Sequence, residues 1–223
     1  LKREFLITGD GSVTIHLPEW NEQYHSKHGA IAEADHVFIT SGLHHLLSKR
    51  SPKEISILEI GFGTGLNAYL TLLDPATKNI NIGYTGVEAF PVQPAEIEHL
   101  NYAELVKGSE ELFVALHSAP WNERVSVTGY FQLLKQKKQF SEVTDKNAYG
   151  LIYFDAFGPR VQPELWTVEI FKAMFQALEE GGILVTYSAK GSVRRDMERV
   201  GFTVERLPGP PGKREMLRAT KTS

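Results

Sequence analysis

From Ser51-Pro52 onward, short apolar runs alternate with segments of helical spacing. SILEIG (56–61), IGYTGVEA (82–89), RVSVTGY (124–130), GLIYFDAF (150–157) and ILVTYS (183–188) read as buried strands, as do FTVERL (202–207) and EMLRAT (215–220) near the end. Between them, apolar positions recur at helical intervals over Leu66–Leu73, Val92–Val106, FQLLKQKK (131–138), Glu164–Glu179 and Ser192–Val200, with Gly181-Gly182 as the stop after the fourth of these. Repeated strand–helix units predict a Rossmann-like α/β fold: a seven-stranded, mostly parallel sheet with helices on both faces. The last two strands are joined by PGPPGKR (208–214), too short for a parallel crossover, so the final strand must be antiparallel.

The first 50 residues have a different texture. FLITGDGSVTIHL reads as a small β-hairpin around Gly9-Asp10-Gly11. PEWNEQYHSKHGA follows neither period and reads as an irregular loop, and Ala30–Leu47 has near-helical spacing with a break near Ser41-Gly42. We therefore divide the chain into an extension, residues 1–50, covering the site, and a core, residues 51–223, within one structural domain.

At 223 residues, 42% hydrophobic and 23% charged, the composition is that of a globular chain and excludes a disordered or low-complexity one. There is no cysteine, which excludes disulfides, thiolate metal sites and cysteine nucleophiles. No signal-like or membrane-spanning run is present, so a soluble, cytoplasmic protein without a membrane partner is expected. The net charge of −3 conceals an asymmetry. Residues 183–223 hold nine basic and four acidic residues, +5, leaving −8 on the remainder, so the C-terminal fifth is either a docking face for a polyanion or a solvated surface.

The chemistry concentrates in LEIGFGTGLN (58–67), where a strand runs into Gly61-x-Gly63-x-Gly65 and a helix starts at once. Glycines there admit a ligand against bare backbone, and the helix amides offer donors. The spacing is not the G-x-G-x-x-G of a dinucleotide site, which favours a ligand without pyrophosphate. Glu88 ends the second strand 23 positions after Gly65, near the interval at which an acid meets ribose hydroxyls. Asp155, at the end of the fourth strand, either faces a reacting group or caps a turn before Pro159.

Together, YHSKHGAIAEADHVFI (24–39), LEIGFGTGLN, YFDAFGPRVQPELWT (153–167) and residues 181–217 resemble the methyltransferase domain of the tRNA 5-methylaminomethyl-2-thiouridine biosynthesis protein MnmC and its stand-alone form, sometimes called MnmD. The resemblance runs from about residue 20 to residue 218. It implies transfer of a methyl group from S-adenosyl-L-methionine (SAM) to the aminomethyl nitrogen of the wobble uridine, with tRNA as the partner. Carried onto this chain, Glu59, Gly61, Gly63, Gly65, Asn67, Glu88, Ala89 and Asp155 would hold SAM. Asp155, with Tyr24 and Glu33, would form the catalytic group, and Phe157, Arg194, Arg195, Lys213 and Arg214 would meet the tRNA. His28 and Gly29 match the same leading motif.

Two departures stand out. Many relatives end the third strand in Gly-Asp-Ala, the acid meeting adenine, where this chain reads Gly129-Tyr130-Phe131. Bifunctional relatives continue into a flavin-dependent oxidoreductase domain, whereas this sequence shows no second dinucleotide motif, so no FAD is expected and a separate oxidoreductase or an upstream wobble-uridine enzyme would be the partner. The local clusters His25/His28 and His44/His45 lack zinc-site spacing, and no metal is expected. Trp20, Tyr24, Phe157 and Trp166 could stack on adenine or on a flipped-out base. Two other readings remain at this level: methylation of a small-molecule amine, and a non-catalytic SAM- or RNA-binding module.

Overall fold

A computed structural model describes residues 2–222. The N-terminal segment forms a three-stranded antiparallel sheet, β1 (Glu4–Ile7), β2 (Val13–Leu17) and β3 (Glu22–Gln23), in that order. The expected hairpin is β1–β2, and the loop region adds a third, two-residue strand. A continuous helical stretch follows: α1 (Ala30–Ala34), a π-helical segment over Asp35–His44, and α2 (His45–Lys49). The sequence suggested a break at Ser41-Gly42, but none occurs. Gly42 instead lets the helix approach the sheet, since a Cβ there would lie 3.0 Å from Val185 and 3.4 Å from Tyr153.

The core then runs β4 (Glu54–Ile60), α3 (Leu66–Leu73), β5 (Asn81–Glu88), α4 (Pro94–Ile97), α5 (Tyr102–Leu105), α6 (Glu110–Ser118), β6 (Arg124–Thr128), β7 (Phe131–Lys137), β8 (Tyr149–Phe154), α7 (Val168–Ala177), β9 (Leu178–Thr186), α8 (Gly191–Val200), β10 (Phe202–Pro208) and β11 (Glu215–Lys221). The sheet order is β10-β11-β9-β8-β4-β5-β7-β6. From β9 to β7 the neighbours run parallel, and β11 is antiparallel as the short PGPPGKR connection requires. One apolar layer packs the π-helical segment, α3 and α6 on one face, and the other packs α7 and α8 on the opposite face.

Residues 131–138, expected as a helix, form strand β7 instead, so the sheet has eight strands rather than seven. Phe131, Leu133 and Lys135 are buried on one face in strict alternation. The buried lysine disguised that period. Its ammonium donates to the His117 carbonyl at the end of α6 (2.7 Å) and lies 5.0 Å from the Trp121 ring, so its stem packs like an apolar side chain. The strand read at 124–130 is the antiparallel edge partner β6, and the Gly129-Tyr130 pair lies in the turn at the start of β7 rather than at its carboxyl end. The helix expected over Val92–Val106 is interrupted around Asn101, whose side chain accepts from the Val13 amide (2.9 Å) and donates to the Gly11 carbonyl (3.0 Å). The crossover helix α6 was not foreseen; Ser109 caps it by accepting from the Leu112 amide (3.2 Å). Gly181-Gly182 stops no helix: α7 ends at Ala177, and the pair sits inside β9, where Gly181 has φ +69° and the register with β8 shifts. Among the described residues no helix is long and apolar enough to cross a membrane.

The α7 face of the sheet has little redundancy. Phe171, fully buried between Phe154 and Trp166, has no route to solvent that would let its site collapse. Phe171→Ala is expected to lower stability by about 3–5 kcal/mol, read as a fall in the urea midpoint without a change in slope.

Candidate active site

The carboxyl ends of β4, β5 and β8 open into a cleft of about 1180 Å³. Three backbone bonds fix its floor. The Gly61 and Phe62 amides donate to the Val87 carbonyl (3.0 and 3.1 Å), and the Asp155 amide donates to that of Ile60 (2.9 Å). Gly61 has φ +89°, and a Cβ on it would lie 2.5 Å from the Asp155 carbonyl oxygen. Both the dihedral and the space therefore demand glycine. Gly63 and Gly65 also adopt positive φ, and the Tyr24 ring lies against the bare face of Gly63.

Three acids converge here. Glu88 accepts from the Gly63 amide (3.1 Å) and the Phe90 amide (2.8 Å), which ties the end of β5 to the glycine turn. Burial pushes its carboxyl above the ordinary value against those two bonds. Glu59, buried beneath the turn, accepts from Tyr84 Oη (2.8 Å) and Asn67 Nδ2 (2.9 Å); desolvation drives it well above the usual carboxylate range. The same Asn67 Nδ2 donates to Asp155 Oδ2 (2.9 Å). Asp155 is raised to about 7, mainly by burial and further by Glu33, against the Asn67 hydrogen bond and the Lys213 charge.

The N-terminal extension forms the roof. His25 joins it to the glycine turn, with Nδ1 bonded to Thr14 (3.0 Å) and Nε2 to Thr64 (3.3 Å), and burial lowers its pKa to about 4. Both ring nitrogens are thus occupied by hydroxyls, and among the described residues no group of three or more His, Cys, Asp or Glu gathers as a metal site. Tyr24 meets Phe157 edge-on at 4.9 Å, and Trp20 meets the same ring at 5.8 Å. Trp166 is core, yet its indole donates to the Phe157 carbonyl (2.7 Å) and so fixes that ring's backbone. Glu33 is 6% exposed, accepts from the Ser26 amide (2.9 Å), and pairs with Lys213 from the β10–β11 loop.

The cleft gathers Tyr24, Glu33, Gly61, Gly63, Asn67, Glu88, Ala89, Asp155, Phe157 and Lys213, while Glu59 supports it from beneath. Arg194, Arg195 and Arg214 lie outside its walls. Much of the basic C-terminal fifth is internally compensated, through Arg194–Glu198, Arg199–Asp196, Arg206–Glu215, Lys213–Glu33 and Arg218–Glu205. At the true end of β7, Lys137 and Gln139 line the cleft, whereas Tyr130 donates to the Leu72 carbonyl at the other end of that strand (3.4 Å). Sequence reasoning missed these two residues because the strand was read as a helix. It also missed Tyr187, one position beyond β9, although the rule that ligands sit outside strand carboxyl ends would have found it.

This strand order, with a cleft over the central strand ends, is the Rossmann-like class I methyltransferase fold. Residues 119–222 match the family described as S-adenosyl-L-methionine-dependent methyltransferase. The chain is 32% identical, over 91% of its length, to the tRNA 5-methylaminomethyl-2-thiouridine biosynthesis bifunctional protein MnmC of Paracidovorax citrulli, and 29% identical over 88% to that of Hydrogenovibrio crunogenus. It spans about a third of the length of these curated relatives, 33% and 31%. The crystal structure of MNMC2 from Aquifex aeolicus superposes with a TM-score of 0.78 at 26% identity, covering all of this chain and 71% of that one. The resemblance read from the motifs is thereby borne out.

The cleft fits SAM on its own geometry. Gly61 and Gly63 line it with backbone, Glu88 presents acceptors on the wall, and Asn67 Oδ1 is buried without a hydrogen-bond partner. An ammonium donor would satisfy that oxygen. Gly61→Ala is expected to destabilise the fold by at least about 1–2 kcal/mol, the cost of a non-glycine residue at positive φ, with the clash against the Asp155 carbonyl added to it; the fall in the urea midpoint measures it.

Proposed function

We propose that this protein methylates the aminomethyl nitrogen of 5-aminomethyl-uridine, with or without 2-thiolation, at the wobble position of tRNA, in the cytoplasm, and that a separate oxidoreductase activity or an upstream wobble-uridine enzyme generates its substrate. The observation that carries the reading is Asp155, a carboxylate of raised proton affinity just past the end of β8, inside the cleft of a chain whose residues 119–222 match the S-adenosyl-L-methionine-dependent methyltransferase family. The similarity to the MnmC proteins supports the choice of substrate.

In this reading Gly61, Gly63, Asn67, Glu88 and Ala89 hold SAM, with Gly65, whose bare face packs against His117 and Phe62 rather than into the cleft, shaping the turn behind them and Glu59 orienting Asn67 from below. SAM, when bound, supplies a methyl group on a positively charged sulfur. The remaining task falls to the protein: to present a neutral nitrogen in line and to exclude water. A primary alkylamine arrives protonated, with a pKa of about 10.4 if it resembles lysine. Asp155 would take one proton, leaving the nitrogen a free lone pair for the methyl group that SAM would supply, with the displaced C–S electron pair remaining on its sulfur.

The raised proton affinity is useful here. Moving a proton from such an ammonium to a carboxylate of ordinary pKa would cost about 9 kcal/mol, and to one near 7 about half of that. Tyr24 and Phe157 form an apolar wall against which a flipped-out base can lie. Arg195 and Arg214, which make no ion pair among the described residues, are the remaining candidates for phosphate contacts beside Lys213.

Two outcomes are expected. Incubation with SAM and tRNA carrying the aminomethyl nucleoside should yield the methylaminomethyl nucleoside by mass spectrometry, and Asp155→Asn should lose about 10²–10⁴-fold in rate while still binding SAM. Absence of product from the unmutated protein would sink the proposal. Because Asp155 must be ionised to accept the proton, the rate should rise with pH through a midpoint near 7.

A further inference from the structure

Lys213 enters the cleft from the Pro/Gly-rich β10–β11 loop, 180 positions from its partner Glu33. Its ammonium is bonded to Glu33 of α1 and sits 3.9 Å from the centroid of the Tyr187 ring. Tyr187 in turn donates to the Ala156 carbonyl (2.7 Å), next to Asp155. The position is held from both sides. A Cβ on Gly212 would overlap the His28 ring, and the Pro208 carbonyl is bonded to His36 Nε2 (2.8 Å). Lys213 is therefore packed into place as part of the wall.

We infer that Lys213 is a positioning residue that neutralises Glu33, so that Asp155 alone faces the methyl acceptor as a carboxylate free to take its proton. This rests on the reading above and assigns Lys213 to the acceptor's proton transfer rather than to the tRNA backbone. The groups around Asp155 are few. Asn67 on α3 donates to it, Glu59 on β4 shares that amide, Glu33 on α1 and Lys213 oppose each other in charge, and Tyr187 lies beside Ala156. With Lys213 gone, Glu33 would be an uncompensated negative charge near Asp155, and each anion would hold a proton more tightly. Two carboxylates would then compete for the acceptor's ammonium as a static ion pair, the protonation state that cannot attack. The Coulombic influences on Asp155 have the signs this requires, Glu33 raising and Lys213 lowering its proton affinity.

The test reads Asp155 directly. Carboxyl-¹³C aspartate is incorporated, the Asp155 resonance is assigned by its loss in Asp155→Asn, and its midpoint is followed by NMR in the unmutated protein and four variants. Lys213→Met should raise the midpoint, since the Lys213 charge lowers the proton affinity of Asp155 and that of Glu33 with it. Glu33→Gln should lower it, the double variant should return near the starting value, and Lys213→Arg should behave as the unmutated protein. The acid limb of the methyl-transfer profile should move with the midpoint, leaving Lys213→Met slower near pH 7 and largely recovered at higher pH. An unchanged midpoint in Lys213→Met, or single variants that move it in the same direction, would overturn the inference. Should Lys213→Met fail to fold by circular dichroism, Glu33→Gln decides alone: only a lowered midpoint supports it. If the unmutated protein methylates no tRNA, the proposed substrate falls, and the carboxyl titration still decides the role of Lys213.

Discussion

One amide holds the centre of this molecule together. Asn67 Nδ2 donates to Glu59 and to Asp155 at 2.9 Å each, joining the first helix of the core to the ends of two neighbouring strands. Two carboxylates buried this close cannot both ionise freely, and the chain answers with protonation and hydrogen bonding rather than with a buried cation. The remaining local geometry follows from keeping that pair in place. Gly61 must lack a side chain because the Asp155 carbonyl fills the space, and Tyr84 must present its hydroxyl because Glu59 has a second oxygen to satisfy. Glu88, one strand further out, is held by backbone amides and remains the acceptor aimed at the cleft.

The floor of the site was legible in the sequence, as were Tyr24 and Glu33 above it, but the wall at the ends of β7 and β9 was not. Gly61, Gly63, Gly65, Glu88 and Asp155 were readable because strand ends, tight turns and buried acids are local features with few physical alternatives. The β4–β5–β8–β9 frame was readable for a related reason: its strands are apolar runs bounded by glycine or polar turns. Strand β7 was not, because Lys135 interrupts the alternation, and only the folded structure supplies the carbonyl and the aromatic ring that make a lysine tolerable there. The error propagated: with β7 taken for a helix, the end of the third strand was sought at Gly129-Tyr130, and Lys137 and Gln139 went unnoticed.

Charge counting misled in a similar way. A +5 segment looks like a polyanion-binding face when only the segment is counted; its four acids, already subtracted in that count, pair with Arg194, Arg199, Arg206 and Arg218, and Lys213 is matched by Glu33 from outside the segment. Arg194–Glu198 and Arg199–Asp196 are local contacts within α8, but the Arg206–Glu215 and Arg218–Glu205 pairs are cross-strand and Lys213–Glu33 is tertiary, so no short window on the sequence reveals those three. The pairings leave Lys190, Arg195, Arg214 and Lys221 without an ion pair among the described residues, one cation fewer than the net count of the segment.

The pairing of Glu33 with Lys213 spans 180 positions of the chain. A contact of that range is assembled late, because a long loop must close before it forms. During synthesis the glycine turn and its acids can take shape long before residue 213 leaves the ribosome, so a nascent chain could acquire a nucleotide-binding floor with no completed wall. The geometry thus builds in an order of maturation: the cofactor side of the cleft first, the acceptor side only once the two distant parts of the polypeptide have met.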